Sequence, residues 1–266
     1  MSRSALRAPT SVLITGATGG IGTALAKAYT APGRHMILQG RDPSRLAALG
    51  RHCEAAGARV TTRRVDLGDP VQLQAWLDEL AGMPAIDLVI LNAGVTGNIG
   101  AHGEGEAAPA TRTLLDVNLG APVALVQALL PAMRARGAGQ IALISSVSAY
   151  FGLPLTPAYC ASKAGLKAYG EALRGWLATE GIAVNVVMPG FVASAMSDRF
   201  PGPRPFLMSA ERAAHHIRRG LARDRARIAF PLPLRFGMWW LAVLPPDLSL
   251  AILRRLGFGG RRPGAD

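Results

Sequence analysis

Short apolar runs alternate along this chain with longer stretches that carry apolar residues at helical spacing. Ser11–Thr15 (Ser-Val-Leu-Ile-Thr) reads as a buried strand, and a helical pattern follows from Ile21 to about Ala31, ending near Pro32-Gly33. The pattern repeats with strands at His35–Gln39, Arg59–Val65, Ile86–Leu91, Gln140–Ser145 and Ile182–Met188. Helices are predicted to about Gly57, from near Pro70, from about Ala110 to Arg136, and from Pro157 to about Glu180. Alternation sustained over about 180 residues argues an α/β fold: a doubly wound parallel sheet with helices on both faces, and a ligand crevice at the carboxyl ends of the strands.

Beyond Pro189 the pattern changes. Residues 191–208 hold Met196, Phe200, Phe206, Leu207 and Met208 between Pro201, Pro203 and Pro205. Ser209 is placed to cap a helix reaching about Arg223, and Arg227–Phe230 reads as a seventh strand. Residues 232–258 predict two short apolar helices split by Pro245-Pro246. Trp239 and Trp240, flanked by Arg235, Arg254 and Arg255, suit a helix in a membrane interface. The same segment also suits a hairpin covering a substrate site or a partner subunit.

The chemistry lies at the predicted strand ends. Gly16-Ala-Thr-Gly-Gly-Ile-Gly22 follows the first strand and opens a helix. Glycines there permit a tight turn and let a pyrophosphate approach the helix amino terminus, where free N–H groups and the helix dipole favour anions. Asp66, after the third strand, can accept a hydrogen bond from an adenine amino group or cap the helix near Pro70. Asn92-Ala93-Gly94 gives a small-residue turn where a cofactor can pass. Asn118 and Gly120 interrupt the helical pattern around them. Tyr159 and Lys163, four apart, share one helix face, and the ammonium is expected to lower the phenol pKa. Ser145, Ser146 and Ser148 precede them at a strand end.

Composition narrows the classes. The 266 residues carry a net charge of +12, almost all from dispersed arginines with short clusters at Arg218-Arg219, Arg254-Arg255 and Arg261-Arg262. No long basic run with interleaved aromatics is present, which speaks against nucleic acid. Cys53 and Cys160 lie in no metal-binding spacing, so neither a structural metal nor a disulfide framework is expected. The first ten residues lack the apolar core of a signal peptide, and no segment is expected to span a bilayer. A cytoplasmic protein is expected, with peripheral membrane contact through 232–258 left open.

Thr15-Gly16-x-x-x-Gly20-x-Gly22, Asp66, Asn92-Ala93-Gly94, Asn118, Ser146, Tyr159-x-x-x-Lys163 and Pro189-Gly190 occur in an order and spacing that resembles the short-chain dehydrogenase/reductase family. The match spans roughly residues 10 to 195 of the chain. The resemblance implies a Rossmann fold of about seven strands, forming a single oxidoreductase domain over 1–266 with a substrate loop at 191–208 and an apolar extension at 232–258. It also implies roles. Tyr159 would be the general acid/base, Lys163 would tune it and bind the nicotinamide ribose, and Ser146 would orient the substrate oxygen. Asn118 would hold a water linking Lys163 to solvent. Gly16, Thr18, Gly20, Ile21 and Gly22 would form the phosphate loop. Asp66 and Leu67 would meet the adenine, and Asn92, Ala93 and Gly94 would line the adenosine side. Pro189, Gly190, Val192 and Ser194 would fix the nicotinamide. Gly40 stands where an NAD-binding relative carries an acid, and Arg41 follows, so NADP(H) is favoured over NAD.

The expected function is hydride transfer between a nicotinamide cofactor and the carbonyl or alcohol of an apolar small molecule, in a homodimer or homotetramer. Two other readings stay open: a lyase or epimerase on the same scaffold, and a non-catalytic cofactor-binding protein associated with a membrane.

Overall fold

A computed structural model describes residues 8–100 and 103–259. The Arg261-Arg262 cluster and most of the amino-terminal segment lie outside the described residues. In chain order the elements are β1 (Ser11–Ile14), α1 (Gly20–Tyr29), β2 (His35–Gly40), α2 (Pro43–Ala55), β3 (Arg59–Arg64), α3 (Pro70–Ala81), β4 (Leu88–Leu91), α4 (Ala108–Leu115), α5 (Ala121–Arg136), β5 (Gly139–Ile144), α6 (Pro157–Trp176), β6 (Ile182–Pro189), α7 (Ala195–Asp198), α8 (Ala210–Ala222), β7 (Arg227–Phe230), α9 (Leu232–Val243) and α10 (Pro246–Arg255). The seven strands form one parallel sheet in the order β3-β2-β1-β4-β5-β6-β7. The order reverses between β1 and β4, which opens a crevice at the carboxyl ends of those strands.

Strand alternation explains the two layers. Val12 and Ile14 face α1, α2 and α8, where they pack with Leu25, Leu46 and Ile217. Leu13 points the other way, into a layer with Leu80, Leu125, Leu129 and Leu166 from α3, α5 and α6. A third cluster joins Val186 and Met188 of β6 to Met238, Leu241 and Leu253 of α9 and α10. The apolar tail therefore folds back over the sheet edge that carries the strand ends.

The helix expected over 110–136 is not continuous. Asp116–Gly120 forms one wide π-type turn between α4 and α5. Gly120 is a poor helix former and Pro122 has no N–H to give, so the regular ladder cannot run through. The run Ala108–Arg136 spans 29 residues with mean hydropathy 1.5 in its most apolar window, long enough to cross a bilayer. Half of that window is buried inside the protein. Length and composition alone single out this run, and its buried part packs in the protein core.

Candidate active site

The amino terminus of α1 is built for an anion. Gly16 adopts φ +62°, a left-handed conformation, and turns the chain from β1 toward the helix. Gly19 occupies the N-cap and supplies no side-chain hydrogen bond. By contrast Asp42, Asp69 and Ser209 cap α2, α3 and α8 with side-chain acceptors. The first-turn N–H groups of α1 therefore lack a side-chain partner and face a cavity of about 1100 Å³ lined by Gly16, Thr18, Gly20 and Ile21. Gly22 does not line the cavity. A Cβ there would stand 2.1 Å from the Gly16 carbonyl oxygen, so this glycine allows the helix to close on its own loop.

The loop is held by hydrogen bonds that motif spacing does not reveal. Gln39, buried on β2, accepts from the Gly16 N–H at 2.9 Å and donates to the Val65 carbonyl at 2.7 Å. Thr15 Oγ1 accepts from the N–H groups of Asn92 and Ala93, and Asn92 Nδ2 donates back to the carbonyls of Thr15 and Gly16. These bonds cross between neighbouring strands β3, β2, β1 and β4. Only the strand order brings the partners together.

At the end of β2 a Cβ on Gly40 would lie 3.0 Å from Thr18 Oγ1 and 3.3 Å from Leu46 Cδ2, so a larger residue there would be tight against both side chains. Arg41 and Arg45 both line the cavity at this end and are exposed. Neither forms an ion pair among the described residues. Asp42 lines the cavity as well, while its carboxylate caps α2 and accepts from Arg45 N–H and Ser44 Oγ. Asp66 and Leu67 line the cavity. Asp66 does not cap α3, since Asp69 takes that position; its Oδ1 accepts from the Gly68 N–H at 3.0 Å.

Asn92, Ala93 and Gly94 line the cavity past β4. Asn118 is fully buried in the wide turn and does not line it. Its Oδ1 accepts from the Val95 N–H, and its Nδ2 donates to the Val95 carbonyl and Ser162 Oγ. The side chain braces the segment after β4.

Ser146, Tyr159 and Lys163 converge on the same cavity. Ser146 Oγ accepts from both the N–H and the Oγ of Ser148, at 3.1 and 3.0 Å, and hydrogen-bonds the Tyr159 phenol. Ser145 turns away and donates to the Lys163 carbonyl at 2.7 Å. Lys163 Nζ donates to the Ile144 carbonyl at 3.0 Å and sits 5.7 Å from the Tyr159 ring centroid. Burial pushes the Tyr159 phenol up to about 12, against the opposing effect of the Ser146 hydrogen bond. Burial also draws Lys163 down to about 8. Desolvation leads the shift of the phenol, and the opposing effect comes from Ser146.

Pro189, Gly190, Val192 and Ser194 close the far side. Ser194 caps α7 and packs against Gly20, where a Cβ would come within 3.0 Å of Ser194 Cβ. Ser197 Oγ is buried with no hydrogen-bond partner, beside a cavity that its residue lines. Such an orphan hydroxyl costs about 1–3 kcal/mol unless a ligand satisfies it. The loop 191–208 closes through Met208 N–H to the Phe191 carbonyl and Ala193 N–H to the Met208 carbonyl. The cavity then continues into an apolar half beneath α9 and α10, lined by Phe200, Leu234, Met238, Leu241, Leu253 and Phe258. The uncapped helix, the tight glycines, the two free arginines and the orphan serine together fit a nucleotide diphosphate on one side of Tyr159.

Comparisons agree with this architecture. A family model described as short chain dehydrogenase matches residues 10–202. An uncharacterized oxidoreductase of Myxococcus xanthus is 35% identical over 250 residues, covering 92% of this chain and 96% of its own. A second uncharacterized oxidoreductase, from Mycobacterium tuberculosis, is 32% identical over 249 residues and covers 90% and 95%. Among solved structures, a short-chain dehydrogenase from Sphingobium yanoikuyae in complex with NADPH aligns with TM-score 0.78 at 28% identity, covering 84% of this chain and 88% of that one. With the parallel sheet, the glycine loop and the Ser146–Tyr159–Lys163 grouping already in place, these matches identify the chain as a member of the short-chain dehydrogenase/reductase family of oxidoreductases.

Proposed function

We propose that this protein is an NADP(H)-dependent carbonyl reductase or alcohol dehydrogenase acting on an apolar substrate. One observation carries the reading. Tyr159, hydrogen-bonded to Ser146, stands where the glycine-loop half of a single cavity meets its apolar half. The dinucleotide would supply the hydride. Gly16, Thr18, Gly20 and Ile21 would hold its diphosphate, Asp66 and Leu67 its adenine, and Arg41 with Arg45 a 2′-phosphate.

In the reducing direction Ser146 donates a hydrogen bond to the substrate carbonyl oxygen and stabilises the negative charge that develops there. Tyr159 gives that oxygen its proton. A phenol held at about 12 stays protonated through the neutral range and is ready as a donor. Lys163, drawn down to about 8, is still mostly an ammonium at neutral pH and favours the phenolate left behind. Apolar side chains around the reacting carbonyl exclude water and strengthen these interactions.

The NADPH-oxidation rate over a set of apolar ketones, aldehydes, quinones and acyl-chain carbonyls tests the proposal. Turnover of at least one class with NADPH preferred over NADH is expected. Absence of turnover across the set, or a clear NADH preference, would contradict it.

A further inference from the structure

Helix α9 is apolar on both faces. Leu234, Met238 and Leu241 point inward and line the cavity. Leu232, Phe236, Trp239 and Val243, at spacings of four, three and four, form an outward stripe, with Phe236 54% exposed. A helix apolar all round belongs in a core or against another apolar phase. Ser249 of α10 donates to the Leu241 carbonyl at 2.8 Å, so the two helices sit as one unit.

Two further observations say what that phase is. Arg235, Arg254 and Arg255 are exposed on the same pair of helices, where Asp247 is the one acid. Trp239 and Trp240 stand edge to face at 5.2 Å, a pair of amphipathic rings at the rim of the patch. A second copy of the chain docked there would bring the same arginines against each other, whereas an anionic surface neutralises them. Phe206, Trp240 and Leu256 both line the cavity and are more than half exposed, so the cavity mouth opens within the patch.

We propose that α9 and α10 dock this protein on an anionic lipid bilayer, with the cavity mouth against the lipid, so that a lipid-soluble carbonyl substrate enters from the membrane. The docking stands on the surface alone; the entry route rests on the reading of the cavity as an apolar carbonyl site.

Co-sedimentation of the full chain with vesicles tests it, using phosphatidylcholine alone and an equal mixture with phosphatidylglycerol. Binding to the mixed vesicles is expected. Replacing Arg235, Arg254 and Arg255 by Gln should weaken it roughly a hundredfold, at about fivefold per arginine. Phe236→Ser with Trp239→Ser should also abolish most binding, while both variants reduce a water-soluble ketone at the wild-type rate. A long-chain ketone embedded in the mixed vesicles should be reduced more slowly by both. No binding to mixed vesicles, or a dimer that the Phe236 and Trp239 changes dissociate in the absence of lipid binding, overturns the docking. Vesicle binding without reduction of any ketone leaves the docking standing and overturns the carbonyl reading instead.

Discussion

Lys163 lies one helical turn from Tyr159, with its Nζ 5.7 Å from the tyrosine ring centroid, yet its hydrogen bond goes to the Ile144 carbonyl. Lys163 is buried and Tyr159 half-buried, and desolvation moves them in opposite directions: the phenol up to about 12 and the ammonium down to about 8. Each is shifted toward its uncharged form, yet at neutral pH the phenol is neutral and the ammonium still mostly charged.

That shift has a consequence for stability. Between about pH 8 and pH 10.5 the unfolded chain binds more protons at residue 163 than the folded one, so stability from this group rises with pH across that window. The penalty for burying the ammonium is complete below pH 8. Denaturant unfolding of the wild type and Lys163→Met, compared at pH 8 and pH 10, should give a wild-type gain larger by about 2 kcal/mol. Equal pH dependence in the two proteins would contradict the assigned burial effect.

Arg41 is exposed, lines the cavity and is unpaired among the described residues, so its replacement should leave the fold intact. Arg41→Ala should lower the ratio of kcat/KM for NADPH over NADH by about ten- to a hundredfold, the worth of a charge-assisted hydrogen bond. Steady-state kinetics with both cofactors reads this directly. An unchanged ratio would remove Arg41 from the 2′-phosphate site.

Gly22 contributes through the loop, without touching the cavity. In Gly22→Ala the new Cβ would stand 2.1 Å from the Gly16 oxygen and 2.9 Å from Asn92 Nδ2, so loop and helix must separate. A loss of roughly 1–3 kcal/mol in stability and weaker NADPH binding are expected. Thermal unfolding and titration calorimetry check both, and wild-type values for both would refute the packing role.

Local patterns carried much of this molecule. The seven strands, the glycine loop and the Ser146–Tyr159 approach follow from apolar periodicity and motif spacing, and the sheet agrees with them. Other features depend on which strands become neighbours. Gln39 reaches Gly16 and Val65 only because β2 lies between β1 and β3, and Thr15 reaches Asn92 only because β1 pairs with β4. Asn118 reads as a defect in a helix until the wide turn at Asp116–Gly120 shows its side chain holding Val95. Ser197 carries no motif and emerges only from its unmet hydrogen bond. The sign of the Tyr159 shift is illegible for a similar reason: spacing reveals the charge of Lys163 but not the desolvation of the phenol.

The most direct measurement is kcat for NADPH-dependent carbonyl reduction by the wild type and Tyr159→Phe, with NADPH affinity read in parallel by fluorescence. The expected result is a kcat lower by about a hundredfold or more, up to about 10⁴-fold, with cofactor affinity nearly unchanged. Wild-type turnover by Tyr159→Phe would contradict its role as the proton donor.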